Sequence, residues 1–242
     1  MAISFDQYMQ KVGNMMNSKY SYVFRGQSDV NWSLKTSYAR FYRKIYGTNI
    51  NFSLDKYENM LSAFIDQISE YYGRNYEDMP EYQLIALSQH YGIPSPFLDW
   101  TMSPYIALYF ALKDCISNNY NGDVTVCVYC MNTTEFDRLG YTLSKKDNNL
   151  IKSESKYKFI KTINFYSRRV KSQQGCFMYI NNDEDLNTEE SRINEYIEAI
   201  EIQGDPGMIL KNLLIMGING CALYDELEYL CEDIVVQSII NK

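Results

Sequence analysis

Residues 89–112, QHYGIPSPFLDWTMSPYIALYFAL, leave the chain little freedom. Gly92, Pro94 and Pro96 stop any helix and force an extended path, because proline lacks a backbone donor and restricts the residue before it. Ser103-Pro104 then reads as the N-cap and first residue of a new helix, with Ile106, Ala107 and Phe110 on its buried face. A helix over Pro80–His90, with Pro80 at its first position, precedes the stretch. The order helix, extended segment, helix is therefore set here, with polar Gln89, His90 and Asp99-Trp100-Thr101 gathered between two helix ends.

The other elements follow from periodicity. Residues 4–17 carry Phe5, Met9, Val12 and Met16 at helical spacing. YSYVFR, 20–25, reads as a strand that Gly26 ends. Residues 53–72 form the clearest helix, with Ser53 as N-cap, an apolar face of Leu54, Tyr57, Leu61, Phe64, Ile65, Ile68 and Tyr72, and Gly73 at its end. GDVTVCVYC, 122–130, alternates Val124, Val126 and Val128 as a strand. YKFIKTINF, GCFMYI, YIEAIEI and CALYD read as further strands. DPGMILKNLLIMGIN is a helix capped by Asp205 with Pro206 at its first position and Gly217 in its C-terminal turn, and a last helix spans 225–239. Strands and helices do not alternate as βαβ units, so the expected class is α+β, with mixed, mainly antiparallel sheets flanked by helices.

Several function classes fall away. The 242 residues suit one domain over 1–242, with enough apolar residues (46%) for a sizeable core. No apolar run approaches a membrane span. MAISFDQYMQKVGN has no basic segment leading into an apolar one, so a cytoplasmic location is expected. The six cysteines lie mostly in apolar runs, and Cys127 and Cys130, at an odd offset on one strand, point to opposite faces. With one histidine in the chain, no zinc site is expected. No P-loop, GxGxxG, HExxH or GxSxG motif occurs. The net charge of −7 disfavours non-specific nucleic-acid binding. Charge is uneven, however: Lys145–Lys171 holds nine basic residues against two acids, and Asp183–Asp205 nine acids against Arg192. These segments read as solvated faces, or as a basic rim beside an anionic ligand.

Three constellations carry chemistry. In VFRGQ, 23–27, an arginine at a strand end beside a glycine offers a bidentate donor to a closely approaching phosphate or carboxylate, or else makes a structural ion pair. In the 89–112 stretch, rigid prolines hold Gln89, His90, Asp99 and Thr101 near a helix N-terminus, a place that attracts anions. The alternative has His90 and Asp99 bonded to each other or to backbone and Trp100 filling the core. In SRRVKSQQGCF, 167–177, Gln173 and Gln174 stand before a strand, as ligand-reading amides or as surface residues.

Together, FRGQ, then Trp32, Leu34 and Arg40, then QHYG-x-P-x-x-x-LDWT-x-SP-x-x-AL-x-FA, then R-x-x-x-QQG-x-F resemble the FRG domain, a bacterial and phage family. LKNLLIMGINGCALYDELEYLCEDI resembles its closing unit, so the likeness spans about 22–234. Ser95-Pro96-Phe97 departs from the Thr-Arg-Leu more common there and lacks its basic side chain. A fainter likeness is to ADP-ribosyltransferases, in the order Phe24-Arg25-Gly26, then Trp100-Thr101-Met102-Ser103, then Ala107-Leu108-Tyr109-Phe110, then the QQG strand. That likeness implies an NAD-using transferase or NAD hydrolase, acting on nucleic acid or protein in a toxin or phage-conflict setting. It implies Arg25, His90, Thr101 and Gln174 as catalytic residues. Arg25, Gly26, Gln27, Gln89, Asp99, Trp100 and Ser103 would contact the dinucleotide. Nucleic acid would meet the 145–171 segment, where Tyr157, Phe159, Phe165 and Tyr166 interleave with the basic residues. A glutamine stands where such enzymes carry glutamate, which leaves open a nucleotide- or partner-binding module without chemistry.

Overall fold

The computed structural model describes residues 1–119, 122–143, 149–161, 168–224 and 227–240. Along the chain run α1 (Phe5–Met16), β1 (Tyr22–Gln27), α2 (Ser37–Tyr46), α3 (Asp55–Tyr72), α4 (Glu81–His90), β2 (Phe97–Thr101), α5 (Pro104–Asn119), β3 (Val124–Asn132) and α6 (Thr133–Arg138). β4 (Tyr157–Ile160), α7 (Arg168–Ser172), β5 (Gly175–Ile180), β6 (Ile197–Gly204), α8 (Pro206–Ile215), α9 (Gly220–Tyr224) and α10 (Leu227–Ile240) complete the order. The class is α+β: one six-stranded sheet, ordered β4-β5-β2-β1-β3-β6, pairs antiparallel throughout, and helices flank it.

β2 and β3 both run antiparallel to β1, hence parallel to each other, and α5 carries the chain between them across β1. That crossover explains Gly26. It does not end the strand; it sits inside β1 opposite Val128, and a Cβ there would lie 1.9 Å from the Ala107 carbonyl oxygen of α5. Only a residue without a side chain lets helix and strand come so close.

The helical face of the sheet is covered in two halves. α1, α5, α8 and α9 pack Tyr8, Val12, Ala107, Leu210 and Leu223 over Phe24, Val126, Val128 and Ile200. The α2–α4 layer packs Tyr38, Tyr57, Leu61 and Ile85 over Phe97, Ile160, Phe177 and Tyr179. Leu34, Phe136, Leu186 and Ile193 cover the other face, over Leu98, Trp100, Tyr129 and Met178. Cys127 belongs to this second face and Cys130 to the first, as an odd strand offset requires.

Several local expectations are corrected. The buried residues of α1 are Tyr8 and Val12, with Met16 turned to solvent. Leu54, not Ser53, holds the N-cap position of α3, and Pro80 the N-cap position of α4. Ser53 still accepts from the Asp55 amide at 3.0 Å. CALYD is not a strand: Gly220–Tyr224 is a short helix whose first amides, those of Gly220 and Cys221, donate to the buried Asp233 carboxylate at 2.9 and 2.8 Å. A distant carboxylate acting as cap outweighs a local strand preference. The YKFIKTINF strand ends at Ile160, with Lys161 beyond it and 162–165 outside the described residues; position 225, where the last helix was expected to begin, also lies outside them.

Candidate functional site

β1 and β2 share a single register pair, Phe24↔Thr101, and the ladder goes no further. Arg25 spans the opening: its Nη1 donates to the Asp99 backbone carbonyl at 2.8 Å, doing the work of a missing ladder bond. Above this seam, the two helical layers part. α4 ends on one side with Ala86, Gln89 and His90, and α5 presents Phe110 and Lys113 on the other. α7 and the turn after it close the third side with Arg169, Val170 and Gln173. The result is a cavity of 340 Å³ floored by β1, β2 and β5, at the small end of the roughly 300–1,000 Å³ range of ligand pockets.

Among the described residues lining the cavity, Asp99 is the one carboxylate, with Arg25, Lys113 and Arg169 as the basic groups. Its side chain is open to the cavity, and Gln89 Nε2 donates to its Oδ1 at 2.6 Å. That orientation of the amide suits an ionised carboxylate, which can only accept. Crowding by the walls pushes the Asp99 carboxyl above the usual carboxylate range, while Arg25, the Gln89 hydrogen bond and Arg169 pull it back. The same crowding lowers Arg25 from the usual guanidinium range, with Asp99 opposing. Lys113 and Arg169 bring two further basic groups to the same walls.

The wall also holds unused hydrogen-bonding capacity. Among the described residues, Arg25 Nε, Gln89 Oε1 and Gln173 Nε2 are buried with no hydrogen-bond partner. A buried polar atom left unpaired is costly, and a fourth lining residue, Trp100, also has its Nε1 buried without a partner.

Arg25, Gly26, Gln89, His90, Asp99, Trp100 and Thr101 all border this cavity. Asp99 takes its hydrogen bond from Gln89 rather than from His90, and the His90 ring lies edge-on to Tyr91. Trp100 borders the cavity, but its ring is only 3% exposed and packs in the core of the opposite face. The Thr101 hydroxyl donates to the Gln173 carbonyl at 2.7 Å and accepts from the Ser103 amide at 3.1 Å, so it ties β2 to the turn before β5.

Three expected site residues lie elsewhere. Gln27 is buried with its Nε2 on the Trp32 carbonyl. Ser103 caps α5 through the Ile106 amide. Gln174 is exposed, with φ 48°, and closes the α7 turn: its amide donates to Lys171 and its carbonyl accepts from Met102. The neighbouring Gln173 is the glutamine that reaches the cavity. Left-handed backbone at Gln174 reverses the chain into β5, and that reversal decides which of two adjacent amides points inward.

Lys113 was not named as a site residue, and Phe177 only as the last residue of the QQG-x-F motif. Lys113 is a single basic residue in the otherwise apolar run PYIALYFALK, and that incongruity was the available clue. Arg169 stands four residues before Gln173, one helical turn, within the basic segment. The rest of that segment is dispersed: Lys152 pairs with Glu58, Lys156 with Glu184 and Lys161 with Asp137. Lys145, Lys146, Phe165 and Tyr166 lie outside the described residues. Among the described residues, no helix is long and apolar enough to cross a membrane.

The class of protein is thus an α+β fold with a cationic cleft between two helical layers. Residues 20–119, which carry β1, α2–α4, β2 and α5, match the family model described as FRG domain, and the chain contains that domain. Arg169, Gln173 and Phe177 lie beyond the match. No curated protein and no solved structure matches the chain.

Proposed function

We propose that the cleft binds a phosphate-bearing nucleotide, NAD foremost, and that the protein cleaves the nicotinamide–ribose bond as an ADP-ribosyltransferase or NAD hydrolase. One observation carries the reading: among the described residues, three cations and one carboxylate line a single cavity whose wall retains buried, unpartnered polar atoms on Arg25, Gln89 and Gln173. An apolar guest would leave those atoms unsatisfied and strip water from the charged groups without replacing it. The volume suits one nucleotide half, with the remainder of a dinucleotide crossing the rim. The three segments implied by the likeness to ADP-ribosyltransferases also support it, since β1, β2 and β5 are adjacent in the sheet.

Cleavage breaks the ribose C1′–N bond. The electron pair leaves with nicotinamide, and the oxygen of water or an acceptor adds to C1′ and gives up its proton. Charge builds on the ribose in between, and a carboxylate beside it lowers the barrier. Gln173 offers only a hydrogen bond. Among the described residues, Asp99, oriented by Gln89, is the carboxylate that lines the cavity. Lys113 and Arg169 would neutralise phosphate, and Phe110 and Phe177 would wall the apolar side.

A second reading, binding without cleavage, is favoured by that carboxamide at Gln173, which reaches the cavity in place of a carboxylate. Incubation with NAD, with and without nucleic-acid and protein acceptors, separates the two. Release of free nicotinamide above background, lost in Asp99→Asn, supports cleavage. Calorimetric binding of NAD without release supports the second reading, and absence of both overturns the nucleotide reading altogether.

A further inference from the structure

The rim of the cleft is built differently from its floor. On the floor, Arg25 is committed to the fold, with Nη1 on the Asp99 carbonyl across the seam between β1 and β2. At the rim, two cations from different helices converge on one ring, that of Tyr224 in α9. The Arg169 guanidinium carbon stands 4.6 Å from the ring centroid and Lys113 Nζ 5.1 Å. Lys113 Nζ also donates to the Tyr224 hydroxyl at 3.2 Å.

Tyr224 is itself fixed. It is 5% exposed and stacks on Tyr229 at 3.6 Å with the planes 6° apart. Its short helix is pinned by the Asp233 carboxylate at Gly220 and Cys221. An electron-rich ring face attracts cations, so a rigid ring holds both charges in place at small entropic cost. Among the described residues, Arg169 makes no ion pair with a carboxylate. One helical turn on, Gln173 buries an unpartnered Nε2 in the same wall. Two like charges beside an unused donor form an arrangement that an oxyanion would complete.

We propose that Arg169, Lys113 and Gln173 form the phosphate subsite of the cleft. In this assignment Tyr224 is the positioning residue that holds the two cations, and Arg25 is a brace between strands rather than the phosphate ligand. The ligand class is a nucleotide carrying a diphosphate. The assignment rests on the nucleotide reading above and deepens it. It also places the affinity-determining groups largely beyond the FRG-domain match, in α7 and α9.

Calorimetry on the full chain with ADP-ribose and, separately, adenosine tests it. Arg169→Ala and Lys113→Ala are each expected to weaken ADP-ribose roughly 10- to 100-fold, the scale of a charge-assisted hydrogen bond, and to leave adenosine unchanged. The dependence of ADP-ribose affinity on salt should flatten in both variants. Tyr224→Leu should behave like Arg169→Ala. Tyr224→Phe keeps the stack, loses only the Lys113 hydrogen bond, and should weaken ADP-ribose several-fold. It serves as the folded control should the leucine variant fail to fold. Wild-type affinity for ADP-ribose in Arg169→Ala and Lys113→Ala, or equal loss of ADP-ribose and adenosine, overturns the subsite while leaving the nucleotide reading intact. If the wild-type chain binds neither probe, both readings fail together.

Discussion

Replacing Gly26 with alanine separates two roles for the glycine that follows Arg25: room for a ligand, or room for α5. The added Cβ would stand 1.9 Å from the Ala107 carbonyl oxygen, 2.8 Å from the Ala111 nitrogen and 2.9 Å from the Ala107 carbonyl carbon. All three are backbone atoms, so no rotamer change relieves the overlap. To restore ordinary contact the helix must retreat by about 1.5 Å. Ala107, Leu108, Ala111 and Leu112 of α5 are fully buried, so retreat loosens a packed layer. Overpacking usually costs about 1–3 kcal/mol, and a clash with backbone belongs at the upper end, about 3 kcal/mol. At this chain length that lowers Tm by about 6–12 °C. Thermal and urea denaturation of wild type and Gly26→Ala, followed by circular dichroism, measure it. Nucleotide affinity should fall in parallel, because Phe110 and Lys113 ride on the displaced helix. A variant that melts within about 2 °C of wild type refutes the packing account. Such a variant that also lost binding would return Gly26 to the ligand.

Three further outcomes are expected. Arg25→Ala removes the donor that closes the β1–β2 seam and should cost about 2 kcal/mol, or roughly 4–8 °C in Tm; an unchanged melt would show that the brace does not matter. Asp99 has a raised carboxyl pKa, so the folded chain keeps a proton that the unfolded chain has released, and stability falls as pH rises from about 4 through the folded value. Glu81 is shifted in the same direction in both proteins, so the urea midpoint of Asp99→Asn minus that of wild type isolates Asp99; it should grow with pH and then level, and a constant difference refutes the shift. Gln174→Gly relieves a left-handed residue and should raise stability by up to about 1 kcal/mol without changing nucleotide affinity, whereas Gln173→Ala should weaken binding; the reverse pattern would restore Gln174 as the site residue.

The site was legible where local chemistry alone decides. Gln89, His90, Asp99 and Thr101 could be named because prolines and helix ends confine them to a few conformations, and Arg25 because it stands on a strand beside a glycine. Lys113 could not, because nothing near it in the chain says which helix face meets a cleft, and Arg169 stood out only as the first residue of the R-x-x-x-QQG motif and one of nine basic residues, with no sign of the ring it approaches. Between Gln173 and Gln174 composition is silent; a positive φ at one residue made the choice.

Sequence alone determined the helix boundaries that carry their own signals: Asp205-Pro206 at the start of α8, Ser103-Pro104 at the start of α5 and Gly73 at the end of α3. It also determined the α+β class and the opposite facing of Cys127 and Cys130, since each depends on neighbours a few residues apart. Tertiary structure alone decided that β2 lies between β1 and β5, that CALYD winds into a helix on Asp233, and that Gly26 exists to admit α5. These depend on atoms brought together from distant parts of the chain, where packing and hydrogen bonding override the preferences of any short segment.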